Sequence, residues 1–412
     1  MRNGLGKFST AASRWAGVGP YYAMFPSSFS NAVITKYSKK GDAVLDPFAG
    51  RGTALYSAAA AGRQALGIEV NPVGWVYTRT KLSPASKNEV EQRLIQIHSL
   101  SHRYSAASAR LPTFFHHCFS SEVRRFLLCA RAQLSWRQSN VDRTLMAFLL
   151  VHLHGKRSDS LSNQMRQTKA MAPKYAVNWW KTRKLKPPRI QPLEFFKKKL
   201  RWRYAKGIPR SRITKAYLGD SESVLASLKG NLTRRGLHRP SLLLTSPPYF
   251  GITNYHYDQW LRLWLLGGPP TDNRRPSPYH GKNRGKFANR EAYQHLLTTV
   301  FQRASKLLKP DSVVYVRTDR REPTLAITKL ALKAAFPKHR LQRLNRPIMG
   351  KTQTRLFGNG DPRKGEVDLV LAPQKPIRLN RCDRRRFQKM TNRREWSAVR
   401  NPLRNRNLQV YY

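Results

Sequence analysis

Apolar positions along the chain fall into two patterns. Short dense runs at Ala43–Phe48, Ala65–Val70, Thr214–Leu218, Ser241–Thr245, Ser312–Arg317 and Val367–Ala372 have the length and composition of strands. Between them the spacing shifts to three and four residues, as at Val90, Leu94 and Ile97 and again at Val123, Phe126 and Leu127, which predicts helices from about 85 to 155. Asp258–Leu266, Arg290–Leu307 and Thr324–Ala335 are predicted helical on the same ground. The Ala-rich Thr53–Gly62 joins the first two strands. A strand–loop–helix–strand unit of this kind implies a parallel sheet of an α/β protein. Asn359-Gly360 is a hairpin signal that sets the last strand antiparallel to its neighbour. The longest apolar stretch, Leu145–Leu153, is too short to span a bilayer and is expected as a buried helix.

Charge changes this picture. The 412 residues carry 77 Lys and Arg against 22 Asp and Glu, a net charge of +55, so the surface attracts polyanions. The excess is concentrated: residues 160 to 219 hold seventeen Lys or Arg and one acid, Glu194, with Tyr175, Trp179, Trp180, Phe195, Phe196, Trp202 and Tyr204 interleaved. In Ser162–Lys184 the cations Arg166, Lys169, Lys174, Lys181 and Arg183 can contact phosphates, while Gln164, Gln167 and Asn178 can read base edges. The bland alternative is a solvated basic surface on which Trp179 and Trp180 pack against the core. From about residue 375 the chain becomes an Arg-rich tail, including Arg384-Arg385-Arg386 and Arg393-Arg394, suited to non-specific phosphate affinity. No apolar run approaches 18 residues and the start lacks the apolar segment of a signal peptide, so no membrane partner is expected. Three scattered cysteines, Cys118, Cys129 and Cys382, suit a reducing cytoplasm. Nothing completes a metal site around His116-His117-Cys118, and no metal is expected.

Two segments carry chemistry. Val44–Thr53, VLDPFAGRGT, places Asp46 at a strand's C-terminal end before a turn in which Gly50 and Gly52 let backbone approach a nucleotide. It is neither a GxGxxG loop nor a P-loop. Glu69, in GIEVNP, ends the next strand and is suited to hold both hydroxyls of a ribose. In Leu242–Tyr255, LLLTSPPYFGITNY, Pro247 and Pro248 cannot extend the ladder and so fix a rigid, extended backbone whose carbonyls are free to accept hydrogen bonds. Ser246 adds a side-chain acceptor. Acceptors holding both hydrogens of an aromatic amine favour the tetrahedral nitrogen needed to attack a methyl sulfonium. Tyr249 adds a flat ring on which an extruded base can stack.

The pair Asp46–Gly52 and Ser246–Tyr249 resembles the signatures of the DNA amino-methyltransferases, Asp-Pro-Phe-x-Gly-x-Gly and [Ser/Asp/Asn]-Pro-Pro-Tyr, which act on cytosine N4 or adenine N6. The resemblance covers about residues 20 to 372. It implies a Rossmann-like, mostly parallel seven-stranded sheet, S-adenosyl-L-methionine as cofactor, and a prokaryotic cytoplasmic enzyme acting on double-stranded DNA. A cognate restriction endonuclease on a separate chain is a further candidate partner. The resemblance assigns Phe25, Asp46, Phe48, Gly50, Gly52, Glu69 and Asp220 to the cofactor, with Phe25 in a segment that closes over its methionine end and Asp220 on its adenine. Ser246, Pro247, Pro248 and Tyr249 become the catalytic set. Ser in the first catalytic place favours cytosine N4, with adenine N6 the alternative; RNA or protein-amide methylation, or a non-enzymatic nucleic-acid binder on a decayed fold, rank lower. No Cys follows a Pro, which sets aside the C5-cytosine class. The expected organisation is a cofactor-binding half (1–100), a helical, basic target-recognition insertion (101–212), a catalytic half (213–374) and the tail (375–412).

Overall fold

The computed structural model describes residues 9–20, 26–209, 214–251, 255–270, 289–345, 365–373 and 409–411. Phe25, Asn359-Gly360, Cys382 and most of the Arg-rich tail lie outside the described residues. Eight strands form one sheet: β1 Ala43–Asp46, β2 Gln64–Glu69, β3 Thr214–Leu218, β4 Leu242–Thr245, β5 Val313–Asp319, β6 His339–Asn345, β7 Glu366–Pro373 and β8 Gln409–Tyr411. Their order is β3-β2-β1-β4-β5-β7-β6-β8. Parallel pairing runs from β3 through β5, and β7 is antiparallel to both β5 and β6. The order turns back between β1 and β4: the chain first adds β2 and β3 on one side of β1, then crosses to the other. At such a switch the loops leaving the carboxyl ends part and leave a crevice. Asp46 ends β1 and Ser246 follows β4, so both chemical motifs open at that crevice.

The central strands are buried on both faces, which is why they read as unbroken apolar runs rather than alternating ones. β1 and β4 are buried at all four of their positions. Alternate residues feed two cores. Val44, Ala65, Leu242, Leu244 and Val370 join one cluster, and Leu45, Leu66, Ile68, Leu243, Val314 and Leu369 the other. The first cluster runs without a break into the insertion, through Val90, Leu94, Ile97, Phe126, Leu149, Trp180 and Phe196. On this face the strands meet helices Ser27–Tyr37, Thr53–Ala60 and Pro72–Leu82, and the insertion packs on that layer, with its helix Asn140–His152 against Pro72–Leu82. The second face is covered by helices Ser221–Leu228, Arg290–Leu307 and Thr324–Ala335.

Helix starts follow local signals: Ser86 and Glu89 form a capping box for Lys87–Leu100, Asn71 caps Pro72–Leu82, and Asp220 caps Ser221–Leu228. The Leu145–Leu153 stretch lies mainly in a buried helix, Asn140–His152. Two strands depart from the sequence expectation. β6 is absent from the expected strands because HRLQRLN is mostly polar, and β8 arises in the stretch read as an Arg-rich tail, pairing antiparallel with β6. Eight strands are thus described rather than seven, the added one being the short β8 next to β6. No helix among the described residues is long and apolar enough to cross a membrane.

Candidate active site

The glycine-rich turn after β1 is held from three sides. Asp46 is buried, and its Oδ1 accepts the Phe48 amide at 3.1 Å and the Thr245 hydroxyl at 2.6 Å. Thr245 is the last residue of β4. One hydrogen bond therefore ties the start of the Asp-Pro-Phe turn to the start of the Ser-Pro-Pro-Tyr turn, 199 residues away in sequence. Gly50, at φ +55°, donates its amide to Glu69 Oε2 at 2.6 Å, and the other carboxylate oxygen takes the Asn71 amide at 2.8 Å. Gly52 sits at φ +71°, where a Cβ would lie 2.5 Å from Thr78 Cγ2, so no other residue fits the turn without displacement. Asp220, after β3, caps its helix through Ser223, while Ser221 donates to the Pro47 carbonyl at 2.5 Å and ties this third strand end to the first. Asp46, Glu69 and Asp220 thus end three adjacent strands. Burial raises the Asp46 carboxyl to about 7, against the hydrogen bonds from Thr245 and Phe48. Burial raises Glu69 to about 8, opposed by the Asn71 and Gly50 amides and reinforced by the charge of Asp46.

The second turn has a built wall. Tyr249 is 4% exposed, its hydroxyl donates to Glu366 Oε1 at 3.0 Å, and Ser246 Oγ donates to the same phenol oxygen at 3.3 Å. Burial first, then the negative charge of Glu366, push the phenol well above its ordinary pKa. The Pro248 carbonyl accepts the Tyr293 hydroxyl at 2.8 Å, so one acceptor of the rigid Pro-Pro backbone is already engaged by the protein. Behind Tyr249, Arg317 binds Asp368 with two bonds of 2.8 and 3.1 Å, approaches Glu366 at 3.8 Å, and lies 3.4 Å above the Phe29 ring. Arg317 and Asp368 are directly opposed in the β5–β7 register, and Tyr315 also donates to Asp368 at 2.8 Å. The acids around Arg317 hold its guanidinium charged.

Residues 6–73 match the family model described as DNA methylase. A Type II methyltransferase of Methanothermobacter thermautotrophicus, M.MthZI, is 37% identical over 78 residues, 18% of this chain and 22% of its own length. Type II methyltransferases M.AvaI, of Nostoc sp. and of Anabaena variabilis, are each 47% identical over 55 residues, 13% of this chain and 11% of theirs. Residues 6–73 are thus similar to DNA methylases, and the relatives matched are Type II methyltransferases. The matched stretches span about a fifth or less of the length of these relatives. The rRNA methyltransferase aviRa of Streptomyces viridochromogenes superposes over 88% of this chain and 92% of its own at 13% identity, with a TM-score of 0.32.

The family implies S-adenosylmethionine as methyl donor, and the strand ends fit it. Thr53 Oγ1 and Asn71 Nδ2 are buried beside the glycine turn with no hydrogen-bond partner among the described residues, a cost that a polar ligand would relieve. Each Glu69 oxygen, already holding one amide, keeps lone-pair capacity for a hydroxyl. Phe48 packs partly buried against the second core, close to its own bond with Asp46.

The five cations singled out in the insertion do not behave alike. Lys174 and Lys181 are exposed on the Pro173–Thr182 helix, seven residues apart and so on one face with Asn178, while Ala176 and Trp180 pack inward. Arg183 is exposed with its guanidinium 4.5 Å from the Trp179 ring, and Arg166 is exposed. Lys169 instead forms a 2.8 Å ion pair with Asp258, which is itself buried. Trp180 is wholly buried, its indole donating to the Gln164 carbonyl, so for this residue the packing alternative holds.

Sequence reasoning missed how the insertion meets the catalytic half. Helix Tyr255–Leu265 grips the loop 167–171 residue by residue. Arg262 donates to the Gln167 carbonyl at 2.6 Å, Gln259 to that of Thr168 at 3.2 Å, and Trp260 to that of Met171 at 3.1 Å, while Ala170 donates to the Asp258 carbonyl at 3.0 Å. The loop's backbone is thereby fixed, while the side chains of Arg166, Gln167 and Thr168 are exposed. Also missed were Thr245, Tyr293, Arg317, Glu366 and Asp368. A signal existed for the last three: a cation in VVYVRTD and acids in EVDLVLAP interrupt apolar strands, and a charge placed there needs a partner of opposite sign.

Proposed function

We propose that this chain transfers a methyl group from S-adenosylmethionine to cytosine N4 of double-stranded DNA, within the prokaryotic cytoplasm. The observation that carries the reading is the 2.6 Å bond between Thr245 and Asp46, which brings the cofactor turn and the Ser-Pro-Pro-Tyr turn to adjacent strand ends at the switch of the sheet. The cofactor, when bound, supplies an electrophilic methyl sulfonium. Asp46, Phe48, Gly50, Gly52, Glu69 and Asp220, with Phe25, hold it. Glu69 would accept from the ribose hydroxyls, and Asp220 would meet the adenine. Ser246 accepts a hydrogen from the target amine, and a carbonyl of Pro247-Pro248 takes the other. The amine's lone pair is thus withdrawn from the ring and directed at the methyl carbon. Tyr249 forms the wall against which the extruded base rests. No nucleophile on the protein is required.

Target recognition is assigned to the insertion, with Arg166, Lys174, Lys181 and Arg183 on phosphates; Lys169 acts through Asp258 rather than on DNA. The relatives M.MthZI and M.AvaI are Type II methyltransferases by name, which favours a site-specific enzyme with a separate restriction endonuclease as partner. Ser246 supports cytosine N4 over adenine N6. The test is to incubate the full chain with methyl donor and plasmid DNA, digest to nucleosides and identify the product by mass spectrometry. N4-methylcytosine is expected. N6-methyladenine would overturn the base assignment alone, and 5-methylcytosine would refute the amine chemistry.

A further inference from the structure

We infer that Glu366 is the acceptor of the proton that the methylated amine must shed, reached from Ser246 through Tyr249. This rests on the reading above, in which the amine lies against Ser246. Once the nitrogen lone pair has formed the new N–C bond and the C–S bond has broken, the nitrogen is cationic and carries one proton too many. Two hydrogen bonds lead away from it in the same direction. Ser246 Oγ donates to the Tyr249 oxygen at 3.3 Å, and Tyr249 donates to Glu366 Oε1 at 3.0 Å. The chain of donors ends on a carboxylate, which has capacity to receive a proton. Ser246 and Glu366 are each partly exposed, whereas Tyr249 between them is buried, so the relay crosses a closed stretch of wall and ends where solvent can collect the proton.

The step balances without an outside reagent. The N–H bond breaks as its proton moves to Ser246 Oγ. The seryl proton moves to the Tyr249 oxygen, and the phenolic proton moves to Glu366 Oε1. One N–H is lost, one carboxyl O–H is gained, and no atom changes oxidation state. Because burial and Glu366 disfavour a phenolate, Tyr249 does not act as the final base; it takes one proton only while releasing its own. The charged groups facing Glu366 keep it in place as acceptor. Arg317, from β5, lies 3.8 Å from Oε2 and is itself fixed by Asp368, while Asp319, its backbone partner, is bound to Arg321. Glu366 acts through Tyr249 and is a positioning and proton-accepting residue rather than one that touches substrate.

The test uses the full chain with plasmid DNA and tritiated S-adenosylmethionine, following single-turnover methyl transfer across pH. Glu366→Gln keeps an oxygen that can accept from Tyr249, so packing is preserved while proton capture is lost. The expected result is a fall of about a hundredfold or more in the transfer rate. Cofactor affinity should stay unchanged, and the acid limb of the pH–rate profile should disappear. Tyr249→Phe, which keeps the ring and cuts the relay, should give a similar loss. If both variants transfer at the wild-type rate with the wild-type acid limb, the relay is overturned. A wild-type chain that methylates no nucleoside would instead strike the amine-transfer reading, and with it the relay.

Discussion

The strand-end site and the surface of the insertion use charge in opposite ways. At the strand ends the charged groups are buried or half-buried and have named partners. Asp46 is held by Thr245 and Phe48, Glu69 by Gly50 and Asn71, and Arg317 by Asp368. On the insertion, Lys174, Lys181 and Arg183 stand in solvent with almost no acid nearby in sequence. Charge removed from water is costly, so it is retained only with its partners and in fixed geometry, and it can direct chemistry. Charge left in water costs nothing to keep and gives affinity for a polyanion, with little geometry. Lys169 belongs to the second region in sequence and to the first in structure, since it pairs with buried Asp258. The comparison is therefore between environments rather than between segments.

The largest effect should come from breaking a buried pair. Arg317→Met strips the cation from Asp368, which is 1% exposed, and leaves a buried carboxylate to which the Tyr315 hydroxyl still donates. Removing one partner of such a pair costs about 3–5 kcal/mol. Denaturant unfolding should show this, and Asp368→Leu in the same chain should recover much of it. A fall of less than about 1 kcal/mol, the scale of an exposed pair, would mean that water reaches the site and that the contrast with the surface is false.

A smaller effect is expected at Glu69, read through cofactor binding. Removing charge-assisted hydrogen bonds to a ribose costs about 1.5–3 kcal/mol, so Glu69→Ala should weaken S-adenosylmethionine roughly ten- to a hundredfold in calorimetry. The pH dependence has a definite sign. The folded carboxyl sits at about 8, above its ordinary value of 4.5, so between these pH values the folded chain keeps a proton that the unfolded chain has released. The associated stability is complete below the unfolded value and is lost as pH rises through about 8. Ribose hydroxyls donate to the ionised form, so cofactor binding should tighten as pH rises towards 8 and level off above it. Asp46, at about 7, adds a stability loss of the same sign at slightly lower pH. Glu69→Gln should abolish the part of the binding slope centred near 8. A slope identical to wild type would remove Glu69 from the ribose.

The sequence made one of the two environments legible and hid part of the other. The strand ends were visible because the central strands are buried on both faces, and because Gly50, Gly52, Pro247 and Pro248 have backbone demands that few contexts share. The insertion's charge was visible as composition. What could not be read were pairings set by the tertiary fold. Tyr249 meets Glu366 across 117 residues, and Arg262 meets Gln167 across 95. β6 was masked by its own polar residues, its pairing with β7 settled by sheet geometry rather than by propensity. Tyr249 shows the consequence. From the sequence it is a flat ring for a base, and its Phe variant should then retain activity. The relay inferred through the hydroxyl's bond to Glu366 predicts the opposite, and the Tyr249→Phe measurement decides between them.

The smallest effect on the fold, and the sharpest separation of the two environments, should come from exposed cations. Lys174 and Lys181 share one helix face with Asn178, and neither lysine forms an ion pair among the described residues. Replacing both with Ala removes no buried surface, so unfolding free energy should change by about 0.5 kcal/mol or less. Binding to duplex DNA should respond differently. Every phosphate that the protein no longer neutralises lowers the slope of log affinity against log salt by about 0.9, so the double variant should bind more weakly at about 50 mM salt and converge on wild type as salt rises. Lys169→Ala should show the reverse pattern. It takes the cation away from the buried Asp258 carboxylate, and so should lower stability while leaving the salt slope unchanged. Fluorescence anisotropy over a salt series, beside denaturant unfolding, reads both quantities on wild type and the two variants. If Lys169→Ala flattens the salt slope as much as one of the exposed lysines does, its pairing with Asp258 gives way to phosphate on binding. The insertion loop would then be a contact surface as well as a docked strut.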